Sequence, residues 1–281
     1  MGYSSLSPII LIFFLFMLLP IIIAFLYSFT SYSLYSEPMF IGFENYFNIF
    51  TDEAFWQSLN RSLILVVIVV GLQYLCGIVL ALLINENLKG MRWVKYILMV
   101  PWVIPVASTV MMFNWLLAPD YGLLNIIFTN FGFEHLNRYW FGDVKWSFFF
   151  VILMHIWRNT PFYAITFYAA MKNIPSELFE AAEIDGANSF QKFLNITMPA
   201  LKYPSMIMIC IHVFWTLNNF DFIWLSTGGG PVNATEVLAT FTYEKAWVFY
   251  EFGEACASGI IMMAIMSIFA IIYIKIVGSE K

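Results

Sequence analysis

Charge is what this sequence has least of. Only 11% of its 281 residues are Asp, Glu, Lys or Arg, against 61% hydrophobic, and the mean hydropathy is +0.79. A soluble domain carries roughly 25% charged residues, so a surface bathed in water on all sides is excluded. Cysteine is scarce: Cys76, Cys210 and Cys256 stand singly in apolar stretches without CxxC spacing. They read as small buried hydrophobes, not as disulfides or metal ligands. His155 and His212 are far apart and lack a third ligand, so no metal is expected and hydrogen-bonded interior histidines are the simpler reading. No GxxxxGK[ST] pattern occurs, which excludes ATP hydrolysis by a P-loop on these residues. Missing too are the alternating ten-residue segments of a membrane β-barrel.

What the chain has instead is long continuous apolar runs. Spanning about 30 Å of hydrocarbon takes around 20 residues in a helix. On that measure six spans are expected, at about 8–29, 62–84, 95–117, 146–170, 204–226 and 255–277. The first lacks the basic start and cleavage signature of a signal peptide and is kept as a span. The expectation is an all-α polytopic membrane protein, a single transmembrane domain over 1–281 with no appended soluble domain. The pieces between spans are too short to bury a core of their own.

Orientation follows the Lys/Arg balance of short loops. One side holds Lys89, Arg92, Lys95, Lys172, Lys192, Lys202, Lys275 and Lys281; the other holds Arg61, Arg138, Lys145 and Lys245. Eight against four places both termini and the 171–203 loop in the cytoplasm. The outer loops hold most of the acids, among them Glu37, Asp52, Glu134, Glu236, Glu251 and Glu254. They offer nothing to nucleic acid and read as solvated loops, or as the complement of a basic partner surface.

Between two long apolar runs lies a polar, helix-compatible segment. Ser176 is suited to cap a helix, with Glu177 and Glu180 where the helix dipole favours negative charge. Leu178, Phe179 and Ala182 share one stripe, and Asp185-Gly186 supplies a stop. Asn188 or Ser189 starts a second short helix with Phe190, Phe193 and Leu194 on its apolar side, and Pro199 and Pro204 bracket the start of span five. A surface helix lying on the bilayer is one reading. The small residues Ala181, Ala182, Gly186 and Ala187 favour close packing against protein. Glu180, Ala181, Ala182, Asp185, Gly186 and Ala187, followed by Ile196-Thr197 and Pro199, resemble the EAA loop of the membrane subunits of bacterial ATP-binding-cassette importers. Within that family the resemblance is closest to the carbohydrate, maltose-type permeases. It implies that Glu180, Ala181, Ala182, Asp185, Gly186, Ala187 and Pro199 belong to a coupling helix seated in a cleft of an ATPase.

Two further stretches resemble the same family. Gly42, Phe43 and Tyr46 match the first outer loop of sugar permeases. Gly228-Gly229-Gly230-Pro231 resembles an outer loop of the larger, first permease subunit. Pro101 and Pro105 in span three, with Trp102 and Trp115, fit the family pattern as well; there a kinked helix and a hinge are both open.

Ionisable residues inside spans are functional candidates. Arg158, in His155-Ile156-Trp157-Arg158-Asn159, and Asp221, expected in the outer third of span five, are read either as a structural ion pair or as lining a path. Trp215, Asn218, Asn219, Phe220 and Trp224 combine planar amides with aromatic faces, the pairing that suits sugar hydroxyls and C–H surfaces; belt residues or helix contacts are the alternative. The substrate-path candidates are thus Arg158, Asn159, Trp215, Asn218, Asn219, Asp221 and Trp224.

The resemblance implies a permease subunit, not an enzyme, importing a sugar or related polyol delivered by an extracytoplasmic binding protein. It implies a second permease, two ATP-hydrolysing subunits that hold the ATP and Mg, and the bacterial cytoplasmic membrane. No cofactor is expected on this chain. A secondary transporter would want intramembrane acids and broken repeats at the midplane, and Asp221 is the only acid expected in a span. An integral-membrane enzyme would need a convergent catalytic set, and none is visible.

Overall fold

The computed structural model describes residues 2–86 and 89–278. Lys281 and the middle of the 85–94 connection lie outside the described residues. The helices run α1 (Gly2–Phe13), α2 (Leu19–Tyr27), α3 (Glu44–Thr51), α4 (Glu53–Asn85), α5 (Met91–Val103), α6 (Val106–Leu116), α7 (Leu123–Asn130), α8 (Ser147–Met171), α9 (Ser176–Ile184), α10 (Ser189–Lys192), α11 (Met198–Leu217), α12 (Asp221–Ser226), α13 (Leu238–Trp247) and α14 (Phe252–Gly278). Among the described residues the only β pairings are two isolated bridges.

Among the described residues, four helical stretches have the length and apolarity to cross a membrane, namely 7–27, 53–85, 189–217 and 252–276. The bent pair α5–α6 makes a fifth if taken as one. α8 has 25 residues, but His155, Arg158 and Asn159 at its centre lower its apolarity.

Proline explains most local departures from straight helix. Wide π-type turns at Phe14–Leu18 and Phe193–Thr197 lie just ahead of Pro20 and Pro199. Proline cannot donate to the carbonyl four residues back, and a wider turn absorbs the missing bond. Span three, expected at 95–117, is not one rod: α5 and α6 meet at 94°, with Ile104 extended ahead of Pro105. A residue before proline is pushed out of the helical region.

The second and fifth spans also differ from expectation. α4 starts at Glu53 instead of 62, because Asp52 Oδ1 accepts from the Ala54 amide at 2.9 Å and caps the helix. The fifth, expected at 204–226, runs continuously from Ser189 to Leu217 and breaks at 218–220 before α12. Asp221 therefore starts a separate short helix.

The chain divides into two compact units, residues 1–61 with 237–281 and residues 62–236. The first packs Ile49, Phe55, Leu238, Phe241 and Ala257 into a core. Asn45, inside the Gly42-Phe43-Glu44-Asn45-Tyr46 motif, is 5% exposed and donates to the Ser28 and Thr30 carbonyls, both at 2.9 Å. Tyr46 shares a 2.7 Å hydrogen bond with Ser28. That motif is a structural latch.

In the same unit Lys245 Nζ sits 2.8 Å from Glu254, 3.4 Å from Asp52 and 3.5 Å from Glu251. Burial alone would depress its pKa, but the hydrogen bond and charge of Glu254, with Glu251 and Asp52, outweigh it and raise the ammonium above its ordinary value. Glu251 is also raised, first by burial and then by the charge of Glu254, against the pull of Lys245.

The second unit centres on α4, α8 and α11, with Ile78, Ala81, Tyr163, Phe167, Met171, Leu201 and Met208 as its core. Gln73 of α4 is fully buried and donates to the His155 carbonyl at 3.0 Å. The Gly228-Gly229-Gly230-Pro231 turn belongs to this unit. Gly228 and Gly229 have φ of +60° and +88°, a region open to glycine. Thr235 closes the turn by donating to the Gly230 carbonyl at 2.8 Å and pairing with Thr227 at 2.6 Å.

Candidate functional site

Two places in the second unit carry functional geometry. One is a cavity of about 190 Å³, walled by α8, the break at 218–220 and the start of α6. Arg158, Asn159, Trp215, Asn218, Asn219 and Asp221 all line it. His155 and Asn159 lie one turn apart on α8, with Arg158 between them, because residues three and four apart share a helix face.

Polar and apolar groups share the wall. His155 is 3% exposed and His212 1%. Asn159 Nδ2 lies 3.2 Å from His155 Nδ1 and donates to the His155 carbonyl at 3.0 Å. The Asn219 side-chain amide meets His155 Nε2. Arg158 donates through Nε to the Ile104 carbonyl and through Nη1 to Asn159 Oδ1, each at 3.2 Å. His212 Nε2 and Asn219 Oδ1 are buried with no hydrogen-bond partner among the described residues. Orphaned polar groups of this kind cost about 1–3 kcal/mol each until something supplies a partner, and a hydroxyl-rich ligand or water in the cavity would do so. Trp215 is 49% exposed with its ring 5.1 Å from that of His212, so it offers an apolar face to the same space.

One sequence expectation, the ion pair, is corrected here. Arg158 and Asp221 line one cavity but form no ion pair among the described residues. The guanidinium is drawn instead to the Ile104 carbonyl left open by the bend. Trp224 stands back from the cavity, its ring stacked on Phe220 at 5.5 Å and 18°. His155 and His212, read as interior histidines, are both interior and cavity-lining, together with Val106, Phe220 and Phe222. Helical spacing from Arg158 back to His155, and from Trp215 back to His212, was the available signal for the two histidines; nothing in the sequence marked Val106.

The second place is the segment 174–203. Pro175 occupies the cap position of α9 and Ser176 is the first helical residue, with no side-chain cap; this corrects the expected Ser176 cap. The helix stops as expected. Gly186 has φ +78°, the Gly186 amide donates to Glu183 and the Ala187 amide to Ala182, at 3.0 and 2.8 Å. That is a Schellman cap. Asn188 then starts α10 through a capping box with Gln191, but not a separate short helix, because the rod continues to Leu217. Lys192 bridges the two helices with a 2.8 Å bond to Glu183. This bond, and then the ammonium's charge, hold the Glu183 carboxyl below its ordinary pKa. Glu180, Ala181, Asp185 and Pro199 are exposed, Ala182 and Ala187 half-buried. Leu178, Ile184, Phe190 and Leu194 leave 51%, 88%, 67% and 47% of their surface open, an apolar face of the sort that marks a protein contact.

Residues 73–279 match the family of binding-protein-dependent transport system inner membrane components. The chain belongs to this family. It is thus an inner-membrane permease subunit and not itself an ATPase, and the ion-gradient transporter and the membrane enzyme are set aside. The permease is 32% identical over 256 residues to the sulfoquinovosyl glycerol transport permease SmoG of Agrobacterium fabrum, covering 90% of this chain and 82% of the relative. It is 29% identical to the trehalose/maltose transport permease MalF of Thermococcus litoralis, covering 98% and 93%. Its fold is that of a chain in the bacterial alginate ABC transporter solved with an alginate pentasaccharide-bound periplasmic protein. There the TM-score is 0.86, the identity 24%, and the coverage 96% of this chain and 91% of that one.

Proposed function

We propose that this permease passes a sugar or related polyol across the bacterial cytoplasmic membrane, using the cavity between α8 and the 218–220 break as part of its path. The observation that carries the reading is the lining of that cavity. Planar amides of Asn159, Asn218 and Asn219, the unpartnered His212 Nε2 and the exposed Trp215 ring come together in one space, and the sugar-transporting relatives share the family. The permease works with a second permease subunit, two ATP-hydrolysing subunits and an extracytoplasmic binding protein. ATP and Mg belong to the ATPases, and this chain carries no cofactor. α9 is the coupling helix, with Glu180, Ala181, Ala182, Asp185, Gly186, Ala187 and Pro199 at or behind the contact. Six spans place both termini in the cytoplasm and 227–254 outside.

A tag on this chain, pulled from native membranes, is expected to bring down two further proteins, one with a P-loop. A panel of labelled sugars offered to cells with and without the chain is expected to show uptake of at least one that needs both the chain and ATP. A homo-oligomer active without ATPases would sink the importer reading. Uptake confined to amino acids or ions would sink the sugar.

A further inference from the structure

The polar residues of α8 join the two places where helices of this unit break. At one end Arg158 Nε donates to the carbonyl of Ile104, the corner residue of the 94° bend between α5 and α6. Arg158 Nη1 passes to Asn159 Oδ1, Asn159 Nδ2 to His155 Nδ1, and His155 Nε2 to the Asn219 amide. Asn219 lies in the break between α11 and α12.

The proton directions are set by chemistry. An amide nitrogen only donates, so His155 Nδ1 accepts, and the ring's own proton sits on Nε2. That proton needs an acceptor. The Asn219 side-chain oxygen is otherwise without a partner, and a half-turn of the amide puts it against Nε2. Each member of the chain then uses a donor to hold the next, and removing one strands its neighbour.

We propose that His155, Arg158 and Asn159 are positioning residues that tie the two breaks together, so that the α5–α6 corner and the α11–α12 turn move as one element when the path opens. This rests on the reading of the cavity as a transport path. Both breaks are helix ends with freed backbone, the positions at which hinges absorb changes in φ and ψ. The α8 residues between them sit on a helix packed into the core of the unit.

The test uses the transporter purified through this chain and reconstituted with the subunits that accompany it. Spin labels at Val103 and Leu225, 68% and 48% exposed, report the distance between the two broken elements with and without ATP and vanadate. In the unsubstituted chain the distance peak is expected to shift as a whole. His155→Phe keeps a ring of similar shape but no hydrogen bond, and Asn219→Leu removes the acceptor. Either is expected to abolish the concerted shift, leave a broad distribution and lower uptake about tenfold, the scale of one buried hydrogen bond lost. Asn219→Asp retains an acceptor for Nε2 and is expected to restore the shift. If one apolar variant fails to insert, the other decides together with Asn219→Asp. A shift that persists in the apolar variants, a shift absent from the unsubstituted transporter, or Asn219→Asp behaving like Asn219→Leu overturns the relay. An unsubstituted assembly without ATP-driven sugar uptake overturns the transport reading instead.

Discussion

Gly77 of α4 and Tyr163 of α8 meet so closely that a Cβ on Gly77 would stand 2.4 Å from Tyr163 Cβ and 3.4 Å from the Ala164 amide nitrogen. Tyr163 is fully buried, and its hydroxyl reaches the Met208 carbonyl of α11 at 3.4 Å. Three helices are thereby pinned at one point. Small residues allow this approach in membrane helices. Gly77→Ala must push α8 away and is expected to cost about 1–3 kcal/mol through overpacking. Gly71, earlier in the same helix with open space around it, is the control: Gly71→Ala should melt like the unsubstituted protein in detergent. Equal melting temperatures for both variants would contradict the close packing.

Gly186→Val probes the coupling segment. The backbone there is left-handed at φ +78°, while the space around a Cβ is open. The cost is therefore strain and not collision, about 1 kcal/mol or more for a non-glycine residue, all of it local to the α9 cap. Expression and membrane insertion should be unchanged, while uptake and substrate-stimulated ATP hydrolysis fall together. Asn218 variants should instead change which sugar is taken up. Normal transport by Gly186→Val would remove the coupling role of this loop.

The Lys245 cluster has a pH signature. Its raised pKa stabilises the fold fully below the ordinary lysine value, and the contribution is lost only as pH rises through the higher folded value. Neutral and mildly alkaline buffers leave it intact. Glu251 is raised as well, so its contribution is present below the ordinary glutamate pKa and is lost as pH climbs through the folded one. Lys245→Met, at a side chain 16% exposed, is expected to destabilise by about 1.5–3 kcal/mol at neutral pH, the range for charged hydrogen bonds. Glu251→Gln should raise the melting temperature at neutral pH and flatten its decline between weakly acidic and neutral buffer. Thermal melts across pH check both; no change in that slope would rule out Glu251 as the titrating group.

Topology is tested best at Val232. Thr235 lies in the same loop but is fully buried and closes the glycine turn, so a cysteine there would be unreactive and disruptive. Val232 is 89% exposed. Val232→Cys should react with an impermeant maleimide added to cells with an opened outer membrane and an intact inner one. Labelling that appears only after the inner membrane is permeabilised would invert the proposed orientation.

Composition and short-range pattern were enough for much of this protein. Long apolar runs with few charges require membrane helices, because buried backbone in lipid must satisfy its hydrogen bonds within the segment. The Asp185-Gly186 stop was legible because the conformation it needs is a property of glycine itself. A helix start at Asn188 or Ser189 was legible, and the structure puts the cap at Asn188, whose partner Gln191 is three residues away. Arg158, Asn159, Asn218, Asn219 and Asp221 stood out because polar side chains in an apolar run are costly without a purpose.

What the tertiary structure alone decided depends on contacts far apart in the chain. Arg158 had two possible partners, Asp221 and whatever carbonyl a bent helix might free; the 94° bend put the Ile104 carbonyl within reach, and the ion pair did not form. Pro101 and Pro105 announced a weakness in span three but not whether it would kink gently or turn a corner, since neighbouring helices settle that. Trp224 and Trp215 look alike in sequence, yet of the two only Trp215 lines the cavity, because the helix breaks at 218–220 between them. Whether Asn188 opened a short helix or a long one depended on whether Pro199 would end it, and a single wide turn at Phe193–Thr197 let the helix continue. Local sequence determined which residues could bend, cap or hydrogen-bond; packing between helices selected the partner each one took.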